Sequence, residues 1–171
     1  TPELSDTGSL VFHDIVESVQ AEVNRLQSQG INKIIALGHA GIEMDREVAS
    51  RVSGVDVVIG GHTNTFLYTG AAPDLEPPQG DYPTVITQAA SGGHKVLVLQ
   101  DYAFGKYLGQ LEVTFDDAGG VQNWTGNPIL LDHTVSQDPD MLADVAQWQA
   151  PVNHLYMETI GRTNVFLDGT R

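Results

Sequence analysis

The stretch INKIIALGHAGIEMDREVASRVSGVDVVIGGHTNT, residues 31–65, contains two short apolar runs, at 34–37 and 55–59. Between the runs, apolar residues recur at helical spacing until Gly54, a residue that commonly ends helices. A strand, a helix and a second strand in this order are typical of a βαβ unit with parallel strands. The stretch therefore predicts an α/β fold in which the two apolar runs lie in one sheet.

Each apolar run leads into glycine and then histidine, as Gly38-His39 and Gly61-His62. The carboxyl ends of parallel strands lie at the same edge of a sheet, and ligands bind in the crevice outside them. Neutral imidazole is a common ligand of zinc and related ions, and the side-chain oxygen of Asn64 could add a third donor. The alternative is that both histidines are hydrogen-bonded structural residues.

Two histidines and one asparagine do not complete a catalytic metal site. The nearby acidic residues Glu43 and Asp45 fall in the predicted helix, where they are expected to interact with its N-terminal dipole. Patterns typical of serine hydrolases, phosphate-binding loops and zinc proteases do not occur in the sequence.

Composition narrows the class of partner. The chain has 171 residues, 22 of them acidic and 8 basic, for a net charge of −14. This charge argues against nucleic acid as a partner and against an anionic membrane surface, because both would be repelled. An acidic protein that handles phosphates needs local positive charge, which bound divalent cations supply. There is no cysteine, so thiolate metal sites and disulfides are excluded.

The rest of the chain favours one domain followed by a short extension. Helical spacing predicts a helix over 9–29, which would contain His13, and a Pro- and Gly-rich loop is expected over 66–83. Beyond this loop the pattern predicts a mixed or antiparallel sheet, whose strands are expected at 84–87, 95–102, 107–115, 121–124 and 129–131.

A change in composition at 132–138 predicts a linker. It should be followed by a helix over 139–156 that Asp138 caps and Pro151 interrupts, and by a strand over 160–167 that ends in a turn at 168–169. His94, His133 and His154 are expected to be ordinary surface residues. Asn123-Trp124-Thr125 is a glycosylation sequon, which is usable only in a secreted protein.

Several longer motifs occur in a fixed order: GHAGIEMD at 38–45, GVDVVIGGHTNTFLYTG at 54–70, YAFGKYLG at 102–109 and GNPILL at 126–131. With TPELSDTG at the start and VFLDG near the end, they resemble the ecto-5′-nucleotidase and apyrase family of calcineurin-like metallophosphoesterases. The resemblance covers essentially the whole chain.

The resemblance implies part of a four-layered αββα sandwich, with a linker helix and the first strand of a second domain. Residues 1–131 would be the C-terminal half of the metallophosphoesterase domain. Residues 132–158 would be a linker and interdomain helix, and residues 159–171 the start of a C-terminal nucleotide-binding domain. The N-terminal half and most of the C-terminal domain would be missing partners from the same protein, and a homodimer is possible.

The resemblance also implies a site and an activity. His39 and His62 match ligands of one metal ion and Asn64 matches a position beside a second, in a centre of two zinc ions per full-length active site. The full-length protein would use a metal-activated hydroxide to remove phosphate from extracellular AMP, ADP or ATP. The family's catalytic histidine–acid pair has no counterpart in this segment, so the 171-residue chain alone is expected to be inactive.

The expected location is outside the cell, either secreted or membrane-anchored, with a glycan on Asn123. The alternative function is a non-enzymatic binding or structural module that reuses the half-domain with a weak metal site.

Overall fold

The two apolar runs of residues 31–65 form neighbouring parallel strands of a mixed four-stranded sheet. The computed structural model describes residues 8–167, so the predicted lead-in at 1–7 and the turn at 168–169 lie outside the described residues. The chain divides into two units, one ending at Asp132 and the other beginning at His133.

The four-stranded sheet has the order β1-β2-β4-β3, in which β1, β2 and β4 are parallel and β3 is antiparallel to β4. Helix α1 precedes β1, helix α2 connects β1 to β2, and a one-turn 3₁₀ helix connects β3 to β4. The bounds are α1 Ile15–Ser28, β1 Ile35–Leu37, α2 Ile42–Arg51, β2 Val57–Ile59, β3 Thr84–Gln88, the 3₁₀ helix Ala89–Ser91 and β4 His94–Leu99. The predicted α/β class and the parallel β1–α2–β2 unit are therefore confirmed.

Strand β4 lies in the middle of the core, because Val96, Leu97, Val98 and Leu99 are all buried. A strand buried on both faces reads as a continuous apolar run, which is the pattern of this segment. The cluster around it includes buried residues of both helices and the residue that follows α2: Val16, Val23, Val48, Ala49 and Val52.

Helix α1 begins later than predicted. The side chain of Asp14 accepts a hydrogen bond of 2.9 Å from the backbone N–H of Glu17 and so caps the helix. His13 therefore precedes the helix, and the prediction that it lies within the helix is wrong. The predicted end is confirmed, because Gly30 follows the last turn with φ +83.

The remaining strands of the first unit form two antiparallel pairs, β5 with β8 and β6 with β7. Their bounds are β5 Tyr107–Leu108, β6 Glu112–Phe115, β7 Val121–Thr125 and β8 Ile129–Leu130. The hairpin β6–β7 is confirmed, but the single strand predicted over 107–115 is wrong. Residues 109–111 separate the two strands, and Gly109 packs so closely on the Asp101 carboxylate that a Cβ there would overlap it.

The predicted loop at 66–83 is confirmed, and both its start and its middle are anchored. Phe66 and Leu67 are buried, and Phe66 stacks on Tyr107 with ring centroids 4.5 Å apart. Further along the loop, Asp74 and Glu76 form ion pairs with Lys106 at 2.6 and 2.5 Å.

The second unit contains helices α3, Pro139–Gln149, and α4, Asn153–Met157. Asp138 caps α3 as predicted, since its Oδ1 accepts from the backbone N–H groups of Asp140 and Met141. The interruption at Pro151 is also confirmed. The strand predicted over 160–167 is wrong: these residues are irregular, and Ile160 is 98% exposed. A strand needs a neighbour for its backbone hydrogen bonds, and no strand of the described residues pairs with this segment.

Among residues 8–167, no helix has both the length and the apolar character needed to cross a membrane.

Candidate metal centre

The two glycine–histidine turns leave the sheet at the same end. Leu37 and Ile59 are paired in the register of β1 and β2, and each is the last residue of its strand. The N–H of Gly38 donates to the carbonyl of Ile59 at 2.9 Å, which continues the pairing one residue further. His39 and His62 follow shortly after, so the predicted convergence of the two turns is observed.

The imidazole rings of His39 and His62 lie close together. Their centroids are 5.5 Å apart and their planes form an angle of 72°. Two imidazoles bound to one tetrahedral zinc ion, with Zn–N bonds of about 2.0–2.1 Å, would have centroids about 5 Å apart. The observed separation fits a shared cation, and both residues are exposed to solvent.

The glycines beneath the rings allow this approach. A Cβ on Gly61 would lie 2.7 Å from Nδ1 of His39, so the ring rests directly on the glycine backbone. A Cβ on Gly60 would overlap the carboxylate of Asp45. Adjacent glycines therefore accommodate an imidazole and a carboxylate side by side.

The turn that carries His62 has an unusual backbone. His62 has φ +72 and Asn64 has φ +53, values that residues with a Cβ seldom adopt. Such residues concentrate at functional sites, where the surrounding structure holds them in place. Asn64 lies in the same turn as His62, and its role as a ligand stays a prediction.

The sequence did not indicate that Asp45 is buried beneath the turns that carry the histidines. Its position in the first turn of α2 was predicted, and Glu43 beside it is exposed and pairs with Arg46 at 3.0 Å. Asp45 is instead 3% exposed, and its Oδ2 accepts a hydrogen bond of 2.6 Å from Nε2 of Gln100. Burial raises the pKa of Asp45, and the Gln100 hydrogen bond and the charge of His39 oppose that rise.

Gln100 connects Asp45 to the turn of His62. Its Nε2 also donates to the carbonyl of Gly61 at 3.0 Å, and its Oε1 accepts from the backbone N–H of Thr65 at 3.0 Å. The hydroxyl of Thr63 donates to the same Oε1 at 3.2 Å. The only sequence signal for Gln100 is a polar residue directly after the apolar run of β4.

His94 is not the surface residue that the sequence predicted. It is the first residue of β4, and its Nε2 lies 3.0 Å from the carbonyl of Val55 and 3.3 Å from Oδ1 of Asp56. Asp56 is buried, and it also accepts a hydrogen bond of 2.7 Å from the N–H of Ile34. His94 is therefore a structural residue at the opposite end of the sheet from His39.

The other predicted residues remain at the surface. His133 and His154 are exposed, as predicted, and so is Asn123 in β7, whose glycosylation stays a prediction. In the part of the chain that the structure describes, no three His, Asp or Glu side chains are grouped so that they could hold a metal ion together. His39 and His62 thus fit as two donors of a set, and zinc takes four.

Comparison with known proteins defines the class: the chain resembles 5′-nucleotidases, which confirms the resemblance that the sequence predicts. It is 52% identical to 5′-nucleotidase of Rattus norvegicus and 49% identical to that of Homo sapiens, in each case over 99% of this chain. It is also 49% identical to snake venom 5′-nucleotidase of Crotalus adamanteus. The chain spans 29% of the length of each of these relatives. No family model matches it.

Solved structures share the fold of this chain. A 5′-nucleotidase precursor from Thermus thermophilus matches 92% of this chain with a TM-score of 0.79 and 33% identity, and the match covers 31% of that protein. The NAD nucleotidase of Haemophilus influenzae has the same fold over 88% of this chain, with a TM-score of 0.73 and 24% identity.

Proposed function

We propose that this chain is part of a metal-dependent 5′-nucleotidase that removes phosphate from extracellular nucleotides. The observation that carries the proposal is the pair of imidazoles at one sheet edge, 5.5 Å apart, in a chain about half identical to 5′-nucleotidases. His39 and His62 would hold one divalent cation, and Asn64 would lie beside a second.

The remaining ligands would come from further segments of the same polypeptide, since the relatives are more than three times as long as this chain. The edge strand β1 supports this view. Its side chains Ile35 and Leu37 are 61% and 80% exposed, and apolar edge strands are normally covered. A further segment of the longer protein would therefore pack over the face of β1 that carries Ile35 and Leu37.

The centre we propose holds two zinc ions. When bound, such ions neutralise phosphate charge and activate a water nucleophile. This chain's own contribution is to present two imidazole rings, His39 and His62, at a solvent-open sheet edge. Because the net charge is −14, bound cations would also offset the general repulsion of an anionic nucleotide.

We also propose an extracellular location, secreted or membrane-anchored. Two observations support it: the relatives include snake venom proteins, and the sequon residue Asn123 is exposed.

Phosphate release from AMP by the longer protein that carries this chain tests the function. Removal of metal with a chelator should abolish release, and zinc should restore it. His62→Ala should reduce kcat/KM at least about 100-fold, because loss of a ligand exceeds the 10–100-fold cost of losing an outer-shell partner. His133→Ala, an exposed histidine outside the site, is the control and should have no effect. Full activity in His62→Ala would contradict the proposal.

A further inference from the structure

Gln100 occupies a central position beneath the turn of His62. It directly follows β4, the strand buried in the middle of the core, and it is 2% exposed. Its carboxamide reaches the turn after β2 and the first turn of α2. A buried amide must satisfy both its N–H groups and its oxygen, and this one does so entirely with groups around the two histidines.

The hydrogen bonds of Gln100 alternate with the strained residues of the turn. They reach Gly61, Thr63 and Thr65, while the residues between them, His62 and Asn64, have positive φ. Residues with a Cβ leave such conformations when nothing fixes their neighbours. The alternation indicates that Gln100 maintains the backbone conformation from which His62 projects.

The same carboxamide also fixes the surface beneath His39. Nε2 of Gln100 donates to Asp45, whose carboxylate rests on Gly60, and to the carbonyl of Gly61, on which the His39 ring rests. Thr63 extends the link to α2, because its Oγ1 accepts from the backbone N–H of Ile42 at 3.1 Å. The Gln100 side chain therefore bonds both to the groups beneath the His39 ring and to the turn that carries His62.

We propose that Gln100 is a positioning residue, whose carboxamide holds the His39 and His62 rings in the arrangement that lets them share one cation. This inference rests on the proposed function, because it assigns to Gln100 a role at the proposed metal centre. Gln100 itself would not contact the metal or the substrate.

Gln100→Leu tests the role, with Gln88→Leu as the matched control. Gln88 is also a buried glutamine at the end of a strand, and its Nε2 donates to the carbonyls of Ala49 and Val52 at 2.7 and 2.8 Å. It pairs with His94 at the start of β4, so it lies at the opposite end of the sheet from Gln100. Both variants lose buried hydrogen bonds, but only Gln100→Leu removes the support of the imidazoles.

Two measurements on this chain separate positioning from general destabilisation. The first is the nuclear Overhauser effect between the ring protons of His39 and His62 without metal; the second is the Kd for Co²⁺. Gln100→Leu should lose the ring-to-ring effect and bind Co²⁺ about 10–100-fold more weakly, as expected for an outer-shell partner. Gln88→Leu should retain both properties.

Thr63→Val provides a milder test should Gln100→Leu fail to fold. It removes the hydroxyl that links Oε1 of Gln100 to the N–H of Ile42, and Thr63→Ser keeps that hydroxyl. Thr63→Val should weaken Co²⁺ binding and the ring-to-ring effect, whereas Thr63→Ser should not.

These measurements distinguish failure of the positioning role of Gln100 from failure of the proposed metal centre. An unchanged ring-to-ring effect and Co²⁺ affinity in a folded Gln100→Leu, or failing that in Thr63→Val, overturns the positioning role. The metal centre still stands in that case if His62→Ala abolishes binding. If the native chain binds no Co²⁺ but Gln100→Leu loses the ring-to-ring effect, the positioning of the rings by Gln100 is supported, and the claim that His39 and His62 share a cation within this chain fails.

Discussion

At the scale of single residues, two neighbouring glycines determine how closely the candidate ligands approach. Gly61 lies under the His39 ring, and Gly60 lies under the Asp45 carboxylate. Neither glycine is required by a positive φ, so their role is to leave space. The close approach of His39 and Asp45 to the turn therefore requires that residues 60 and 61 carry no side chain.

Gly61→Ala should displace the His39 ring, because the new Cβ would lie 2.7 Å from Nδ1. The expected result is weaker Co²⁺ binding, by about tenfold or more, with the fold retained. Gly38→Ala is the matched control, since a Cβ there has no heavy atom within 4 Å and Gly38 also precedes a candidate ligand. Equal Co²⁺ affinities in the two variants would argue against the close packing of His39 on Gly61.

His94→Leu should destabilise the fold without affecting the metal centre. The variant leaves the carbonyl of Val55 and the buried Asp56 without one partner, which costs about 1–3 kcal/mol. Urea unfolding measures the loss, and His133→Leu, at an exposed position, should change the free energy of unfolding by less than about 0.5 kcal/mol. Similar stabilities of the two variants would mean that His94 is the surface residue that the sequence predicted.

At the scale of elements, Lys106 ties the long loop at 66–83 to the segment before β5. Its amine pairs with Asp74 and Glu76, and the hydroxyl of Tyr107 donates to Glu76 at 3.0 Å. The hydrogen bond from Lys106 lowers the pKa of Asp74 below its ordinary value of 3.8 and that of Glu76 below 4.5. The contribution of these pairs is therefore complete above those ordinary values and is lost as the pH falls through the lowered ones.

Lys106→Met should loosen this loop at neutral pH. The amides of Tyr68 and Gln79, which bond within the loop to the carbonyls of Gly80 and Phe66, should exchange faster with solvent. In acid, where both carboxylates are protonated, these two amides should exchange equally fast in the native chain and in the variant. Lys33→Met removes a lysine that contacts Asn32 and Phe115 instead, and it should leave these amides unchanged. Equal exchange in native and Lys106→Met chains at neutral pH would show that the ion pairs do not anchor the loop.

The elements that the sequence predicted best are those with local signals. The β1–α2–β2 unit follows from two apolar runs, helical spacing and glycine stops, and the cap at Asp138 follows from the proline after it. The errors arise where the bounds of a strand, or its existence, depend on contacts outside the local sequence pattern. The segment predicted as one strand over 107–115 is divided into β5 and β6, and Gly109 between them packs on the Asp101 carboxylate. The strand expected at 160–167 lacks a partner among the described residues.

The same limit applies to the candidate site. His39 and His62 were predicted because each follows a strand-ending glycine, so that the parallel sheet brings them to one edge. Gln100 was not predicted, because its hydrogen-bond partners come from two other segments of the chain. Nor was the structural role of His94, whose partner Asp56 is distant in sequence.

At the scale of the whole molecule, the chain holds only part of the machinery we propose. It spans 29% of the length of its 5′-nucleotidase relatives, and two imidazoles supply half of the four ligands that zinc takes. The 171-residue chain alone should therefore release little or no phosphate from AMP. Release by the purified chain that His62→Ala abolishes would show that the site is complete without further segments.

Metal binding by His39→Ala, His62→Ala and the double variant tests the central claim most directly. Titration of this chain with Co²⁺ gives the affinity of each. If the two imidazoles hold one cation, each single variant should lose most of the affinity and the double variant little more, since residues that share a ligand are not additive. Native affinity in either single variant, or losses that add independently, would contradict a shared cation at this sheet edge.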